Sequence, residues 1–433
     1  MSGAYRDGHR FDAVIVGSGM GGAVVARELA LAGRDVLVLE AGKPETQIGT
    51  FADATRYYDG SEVTRMPRKS TEGTIIWRAL MPGGSTVVSC GNAVRCLERE
   101  LAELGIDLTS EMADMEAEMG ARPLAEDKLS DMGRKVREGA RELGYTFDLM
   151  PKMVDFEQCE ACGNCVFGCV RGAKWTAERP LAEAAAHGAE VLYGVKVERA
   201  LRGNGHVSGV EGYGPDGSFQ AFADTVVLAA GGLGTPLILA ASGIEAAGLN
   251  LFIDTLVNVY GATDERLRTV EPQMSLVDLE FHEERGFLMA PYINYSRGVR
   301  MIESGAKASA RSVSHTIGIM VKTTDDPAGR VHPDGTISKP LTAADRRRIN
   351  DGAAVATEVL VAAGVKPDSI IVTKPQGAHP GGTAAIGHVV DTDLQTAVGG
   401  LFVADASVLP AAPGMPPMVT IGALARRLGA ALA

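Results

Sequence analysis

The run Asp12-Ala-Val-Ile-Val-Gly17-Ser-Gly19-Met-Gly21-Gly22 constrains this chain more than any other stretch. An apolar strand enters it, a helical stretch from Ala23 to Ala32 leaves it, and Gly33 stops that helix. A second apolar strand, Asp35 to Leu39, ends on Glu40. Gly17, Gly19 and Gly22 fit the spacing G-x-G-x-x-G. In that spacing the first glycine permits a tight turn, the second lets backbone approach a pyrophosphate, and the third lets helix and strand pack closely. The helix N-terminus offers free N–H groups and a positive dipole end to phosphates. Glu40 is placed to accept hydrogen bonds from the adenosine ribose hydroxyls, which disfavours a 2′-phosphate there. The pattern predicts a Rossmann βαβ unit for a dinucleotide and leaves NAD and FAD open.

A chain of 433 residues exceeds one ordinary domain, so two are expected. Hydrophobic residues at 45% against 22% charged describe a globular protein with a large core. A net charge of -12 argues against nucleic acid or an anionic membrane surface as partner. Strand-like residues begin at about Phe11, which leaves no room for a signal peptide. The most apolar stretch, Thr225 to Ile244, is interrupted by glycines and Pro236 and makes a poor membrane span. A cytoplasmic protein with no membrane span is expected.

Turn signals at Gly203-Asn-Gly205 and Pro215-Asp-Gly217 mark hairpins in a strand-rich stretch from Ala189 to Gly231. Helix patterning covers Glu98 to Leu104, Leu129 to Leu143 and about Ala343 to Ala363, and a terminal helix starts at about Thr420. Nucleotide-binding signals at the start, middle and end suggest one cofactor domain interrupted by another. Residues 1–45, 81–100, 190–250 and 376–433 are assigned to the cofactor domain. Residues 46–80 and 251–375 are assigned to the substrate domain, and 101–189 to a helical segment with a cysteine insert.

Several stretches together resemble the glucose–methanol–choline (GMC) oxidoreductase family. They are Val14 to Gly42, Gly83 to Asn92, Thr225 to Ile244, His379-Pro-Gly-Gly-Thr-Ala-Ala-Ile-Gly387, Leu401 to Pro410 and Thr420 to Ala425. The resemblance implies an α/β fold: a Rossmann-type FAD-binding domain with an inserted α+β substrate domain built on an antiparallel sheet. It implies FAD rather than NAD, a small-molecule substrate, and hydride transfer from or to a CH–OH group. By the same analogy, Val197 backbone meets the adenine, and Gly84, Ser85 and Asn92 lie near the ribityl chain and flavin. Asp405 and Ala406 reach the pyrophosphate–ribityl region, and the segment from Pro417 and Met418 to Thr420 brings a helix N-terminus to the flavin pyrimidine. His379 matches the family's active-site histidine, a base for the substrate hydroxyl. One departure stands out: the family's second active-site residue, usually Asn or His, is here Pro416. Proline has neither a side-chain donor nor an N–H, so Lys374, Gln376 or a substrate-domain residue is expected to substitute.

Cys159-Glu-Ala-Cys162-Gly-Asn-Cys165-Val-Phe-Gly-Cys169 has the spacing C-x2-C-x2-C-x3-C of bacterial ferredoxins, without the terminal proline. The spacing favours an iron–sulfur cluster (4Fe–4S before 3Fe–4S) over structural zinc, which generally uses separated pairs, or free thiols. Cys169 is one candidate fourth ligand; Cys90 and Cys96 are the others. A cluster would pass electrons singly to or from a carrier such as ferredoxin or a cytochrome subunit. The expected activity is then that of a dehydrogenase or reductase rather than an oxidase. The alternatives are a ferredoxin-fed reductase of a C=C or C=O group, or an electron-transfer subunit with no substrate of its own.

Overall fold

Burial on both faces explains why residues 13–16 and 36–39 read as unbroken apolar runs within the strands Arg10–Val16 and Val36–Glu40. In the computed structural model, which describes residues 8–60 and 67–433, these two strands pair in parallel. Positions 1–7 and 61–66 of the expected domains lie outside the described residues. Glu190–Tyr193 extends the sheet on one side, while Gly217–Leu228 and Leu401–Val403 extend it on the other, all parallel. His206–Gly214 and Lys196–Gly203 continue it antiparallel through tight hairpins. Asn204 and Gly205 both take positive φ (54° and 79°), as a two-residue hairpin turn requires.

The helix after the glycine turn is Met20–Leu31, three residues longer at its start than the sequence pattern suggests. It lies against the C-terminal helix Met418–Leu432 and against Glu178–Ala186. Gly17, at φ +100°, makes the turn, and a Cβ there would lie 2.3 Å from the Ala229 carbonyl oxygen. A Cβ on Gly22 would lie 2.0 Å from the Gly17 oxygen, so the helix is packed down onto its own turn.

A second sheet is antiparallel at its centre. Thr316–Thr323 lies between Phe287–Pro291 and Leu256–Ala262. Gln376–Gly377 pairs with Leu256–Ala262 and, in parallel, with Ile75–Ile76, so residue 376 belongs to this sheet. The helix Ala343–Ala362 covers it, started by a capping box between Thr342 and Asp345. Residues 101–189 are divided between the two layers. Thr109–Met119 buries Met112, Met115 and Met119 and packs on the C-terminal helix, whereas Asp131–Glu142 packs on Ala343–Ala362. Among the described residues, no helix is long and apolar enough to cross a membrane.

Candidate active site

One cavity of about 1400 Å³ runs from the glycine turn to the second sheet. Gly17, Gly19, Glu40 and Val197 line it at the Rossmann end, and Gly84, Ser85, Asn92, Asp405 and Ala406 line its middle. Pro416, Pro417, Met418, His379, Gln376 and Lys322 also face it. Gly22 does not, because its work is packing.

The cavity's own walls test whether a dinucleotide fits. Gly19 carries no side chain, and a Cβ built on it meets no atom within 4 Å, so its bare backbone borders open space. A Cβ on Gly84 would come within 3.0 Å of Gly19 Cα, so the two glycine loops touch and face the cavity together. Glu40 is nearly buried at the end of its strand. Its carboxylate accepts from Ser18 N (3.0 Å), Ser18 Oγ (2.6 Å) and Gly42 N (2.7 Å). Four lone-pair directions leave it room for one further donor. Beyond it the N-terminus of Met418–Leu432, a 15-residue helix, points its dipole at the cavity. These walls fit FAD.

Two residues expected to reach the cofactor line the cavity and also bond to the protein around it. The Asp405 carboxylate accepts from Gly231 N (2.8 Å), Thr235 Oγ1 (2.5 Å) and Ser407 N (2.7 Å). Its side chain therefore joins two turns. Asn92 is occupied by the buried Lys152 ammonium at Oδ1 and by Met274 Sδ at Nδ2.

The reacting end is built from residues far apart in the chain. His379 Nδ1 lies 2.8 Å from Asp254 Oδ2 and 3.3 Å from Lys322 Nζ. Asp254 is fully buried and sits at φ +51°, a strained conformation for a non-glycine residue. Asp325 holds that conformation by accepting from Ile253 N and Thr255 N, and is itself paired with buried Lys339 at 2.8 Å. Asp254 Oδ1 accepts from Gly414 N at 2.9 Å, which ties the histidine turn to the segment carrying Pro416. His282 stands behind, its Nε2 bonded to the Pro413 carbonyl at 2.7 Å.

Electrostatics follow from this burial. Burial, and then the Lys322 ammonium, hold His379 well below the ordinary imidazole value. Burial pushes the Asp254 carboxyl up to about 7, with Lys322 pulling the other way. Burial also depresses the Lys322 ammonium, which Asp254 opposes. With Asp254 ionised and His379 neutral, one proton sits between Oδ2 and Nδ1. Nε2 then keeps its lone pair.

The sequence alone singled out neither Asp254 nor Lys322. Both are charges inside apolar runs, Phe252-Ile253-Asp254 and Ile317-Gly-Ile-Met-Val-Lys322, and that was the available signal. Of the expected substitutes for Pro416, Gln376 lies on the cavity wall, whereas Lys374 is exposed and outside it.

The cysteines do not form the ligand set their spacing suggests. All six are free, Cys162 is exposed, and Cys159, Cys165 and Cys169 are half-buried. Among the described residues, no three Cys, His, Asp or Glu side chains converge so as to hold a metal ion. Other bonds shape the loop. The Val166 and Phe167 carbonyls accept from Tyr58 and Tyr57 hydroxyls, Val166 N donates to Gln273, and both residues wall the cavity. Cys90 lies on that wall too, but Cys96 is fixed to Thr420 under the C-terminal helix.

Comparison with known proteins gives the same frame. The N-terminal GMC oxidoreductase domain matches residues 11–256, and the C-terminal GMC oxidoreductase domain matches residues 320–425. An uncharacterized protein of Methanocaldococcus jannaschii is 29% identical over 420 residues, spanning 96% of this chain and 98% of that one. A GMC-type oxidoreductase of Mycobacterium tuberculosis is 30% identical over 479 residues, spanning 96% and 75%. The crystal structure of pyridoxine 4-oxidase from Mesorbium loti shares the fold, with a TM-score of 0.75 at 18% identity, covering 98% of this chain and 99% of that one. Cavity, glycine turn and matched domains lead to one conclusion: this chain belongs to the GMC oxidoreductases, FAD-dependent enzymes that act on CH–OH substrates.

Proposed function

We propose that this enzyme oxidises a small hydroxy compound, with His379 Nε2 taking the hydroxyl proton as the carbon loses its hydride. The carrying observation is the 2.8 Å contact from His379 Nδ1 to Asp254, which leaves Nε2 free in the cavity. Bound FAD supplies the hydride acceptor. As the O–H bond breaks, its proton forms the imidazolium, its electrons form the carbonyl, and the C–H pair leaves as hydride. Asp254 fixes the tautomer and then faces the imidazolium with its negative charge. Lys322, 3.3 Å from Nδ1 and so on the Asp254 side of the ring, tunes this pair by its charge, and Pro416 offers the substrate oxygen no side-chain donor. The test is anaerobic flavin reduction by a panel of hydroxy compounds; no bleaching by any of them sinks the proposal.

A pH dependence follows. His379 accepts a proton only with Asp254 ionised, so the reduction rate rises through pH about 7, where Asp254 loses its proton. Lys322 favours that ionised carboxylate and disfavours a charged His379. Lys322→Met removes both effects, raising both pKa values, and the acid limb should move to higher pH. Profiles of kcat/KM for the two proteins measure it, and coincident limbs would remove Lys322 from the site.

The finer reading, an iron–sulfur cluster on Cys159, Cys162, Cys165 and Cys169 feeding a one-electron carrier, is supported by the ferredoxin-like spacing. It requires the loop to close around the metal. Iron in an anaerobic preparation decides it: less than about one atom per chain defeats a cluster built on three or four thiolates.

A further inference from the structure

Beyond His379 the cavity ends on a buried polar wall that the proposed chemistry leaves unused. Asn258, Glu303 and Gln376 all line it. Gln376 Nε2 donates to Glu303 Oε1 at 3.1 Å, Asn258 Nδ2 donates to the same oxygen at 3.4 Å, and Tyr260 Oη–H donates to Glu303 Oε2 at 3.1 Å. Trp77 Nε1 occupies the Gln376 oxygen at 2.6 Å. Glu303 therefore gathers three donors of this wall, Trp77 takes the Gln376 oxygen, and the acceptor left without a partner among the described residues is on Asn258.

Asn258 makes the point most sharply. Its side chain is fully buried, and its amide nitrogen donates to Glu303 Oε1, the oxygen that also accepts from Gln376. Its Oδ1 has no hydrogen-bond partner among the described residues. A buried acceptor left unmet costs about 1–3 kcal/mol. Strand register sets its place relative to Lys322. Leu256 pairs with Lys322 on one side and Gln376 on the other, and Asn258 is two residues along the same strand, opposite Met320. Two residues of strand span about 7 Å.

We infer that Asn258, with Glu303 and Gln376 behind it, is a subsite for an O–H or N–H donor carried by the substrate, one strand step of about 7 Å beyond the Leu256–Lys322 pair. The substrate is accordingly a polyol, sugar or amino alcohol rather than a simple alkanol. This rests on the reading of His379 as the base.

The test compares flavin reduction in the FAD-loaded enzyme by a terminal pentanediol, a terminal aminopentanol and a hexose against pentanol. The wild type should favour a donor-bearing compound over pentanol by at least about tenfold in kcat/KM, as expected where a buried polar group is otherwise left unmet. Asn258→Leu, of similar volume, should cost that compound about tenfold to a hundredfold more than it costs pentanol. Success of the diol or hexose identifies a hydroxyl ligand; success of the aminopentanol alone identifies an ammonium. Equal use of pentanol by the wild type, which needs no variant to observe, overturns the subsite and leaves His379 as base. Equal losses for both compounds in Asn258→Leu also overturn it. If no hydroxy compound bleaches the flavin, the underlying reading falls and takes this inference with it.

Discussion

Replacing His379 with Ala should slow flavin reduction by about a hundredfold to ten-thousandfold while the protein still purifies with its flavin. The imidazole meets Asp254 and Lys322 beside the second sheet, so its loss should not open the dinucleotide end of the cavity. Its removal leaves buried Asp254 and Lys322 facing each other across a small void, which favours a direct ion pair and limits the damage to folding. Stopped-flow reduction separates the roles. A lost base slows the reductive half-reaction at saturating substrate, whereas a lost binding contact raises only the concentration needed for saturation. His379→Gln keeps a hydrogen-bonding group for Asp254 but cannot accept a proton, and should be as slow as the alanine variant. Near-normal reduction in either variant would remove the proposed base.

What the sequence made legible was local. The glycine spacing, the two hairpins around Asn204-Gly205 and Asp216-Gly217, and the helix at Ala343–Ala362 are each set by residues within a few positions of one another. The reacting end is not local. Asp254 lies 125 positions from His379, and Lys322 lies 57 away. Only the closing of the second sheet against the 376–380 segment brings them together. The cysteine run shows the opposite limit: a short spacing names a chemistry, but side-chain convergence depends on what else holds the loop. Here Tyr57, Tyr58 and Gln273 claim its backbone. Asp405 is similar, since adjacency to the cofactor segment was readable but the turn of its carboxylate toward Gly231 and Thr235 was not.

The glycine turn itself carries the second large effect, and at a position outside the G-x-G-x-x-G spacing. A Cβ on Gly21 would lie 1.6 Å from the Ala404 carbonyl oxygen and 2.6 Å from its carbon. Both atoms are backbone, in the strand-to-turn passage that continues into the cavity-lining Asp405 and Ala406. No rotamer change relieves that contact, so Gly21→Ala must push the Met20–Leu31 helix off the sheet. The expected penalty exceeds about 3 kcal/mol, the upper end of ordinary overpacking. Gly21→Ala should therefore lose flavin and show a lowered melting temperature even when compared apoprotein with apoprotein. Gly19→Ala is the informative contrast. Its φ of -69° suits alanine, and its Cβ meets no protein atom within 4 Å. The apoprotein should melt as the wild type does, while the methyl group enters the space where the pyrophosphate is expected and weakens FAD binding. Flavin absorbance after purification and melting curves with and without added FAD read both variants. If Gly19→Ala binds FAD normally, the pyrophosphate does not lie against this turn. If Gly21→Ala melts and binds like the wild type, the contact with Ala404 is not what holds helix to sheet.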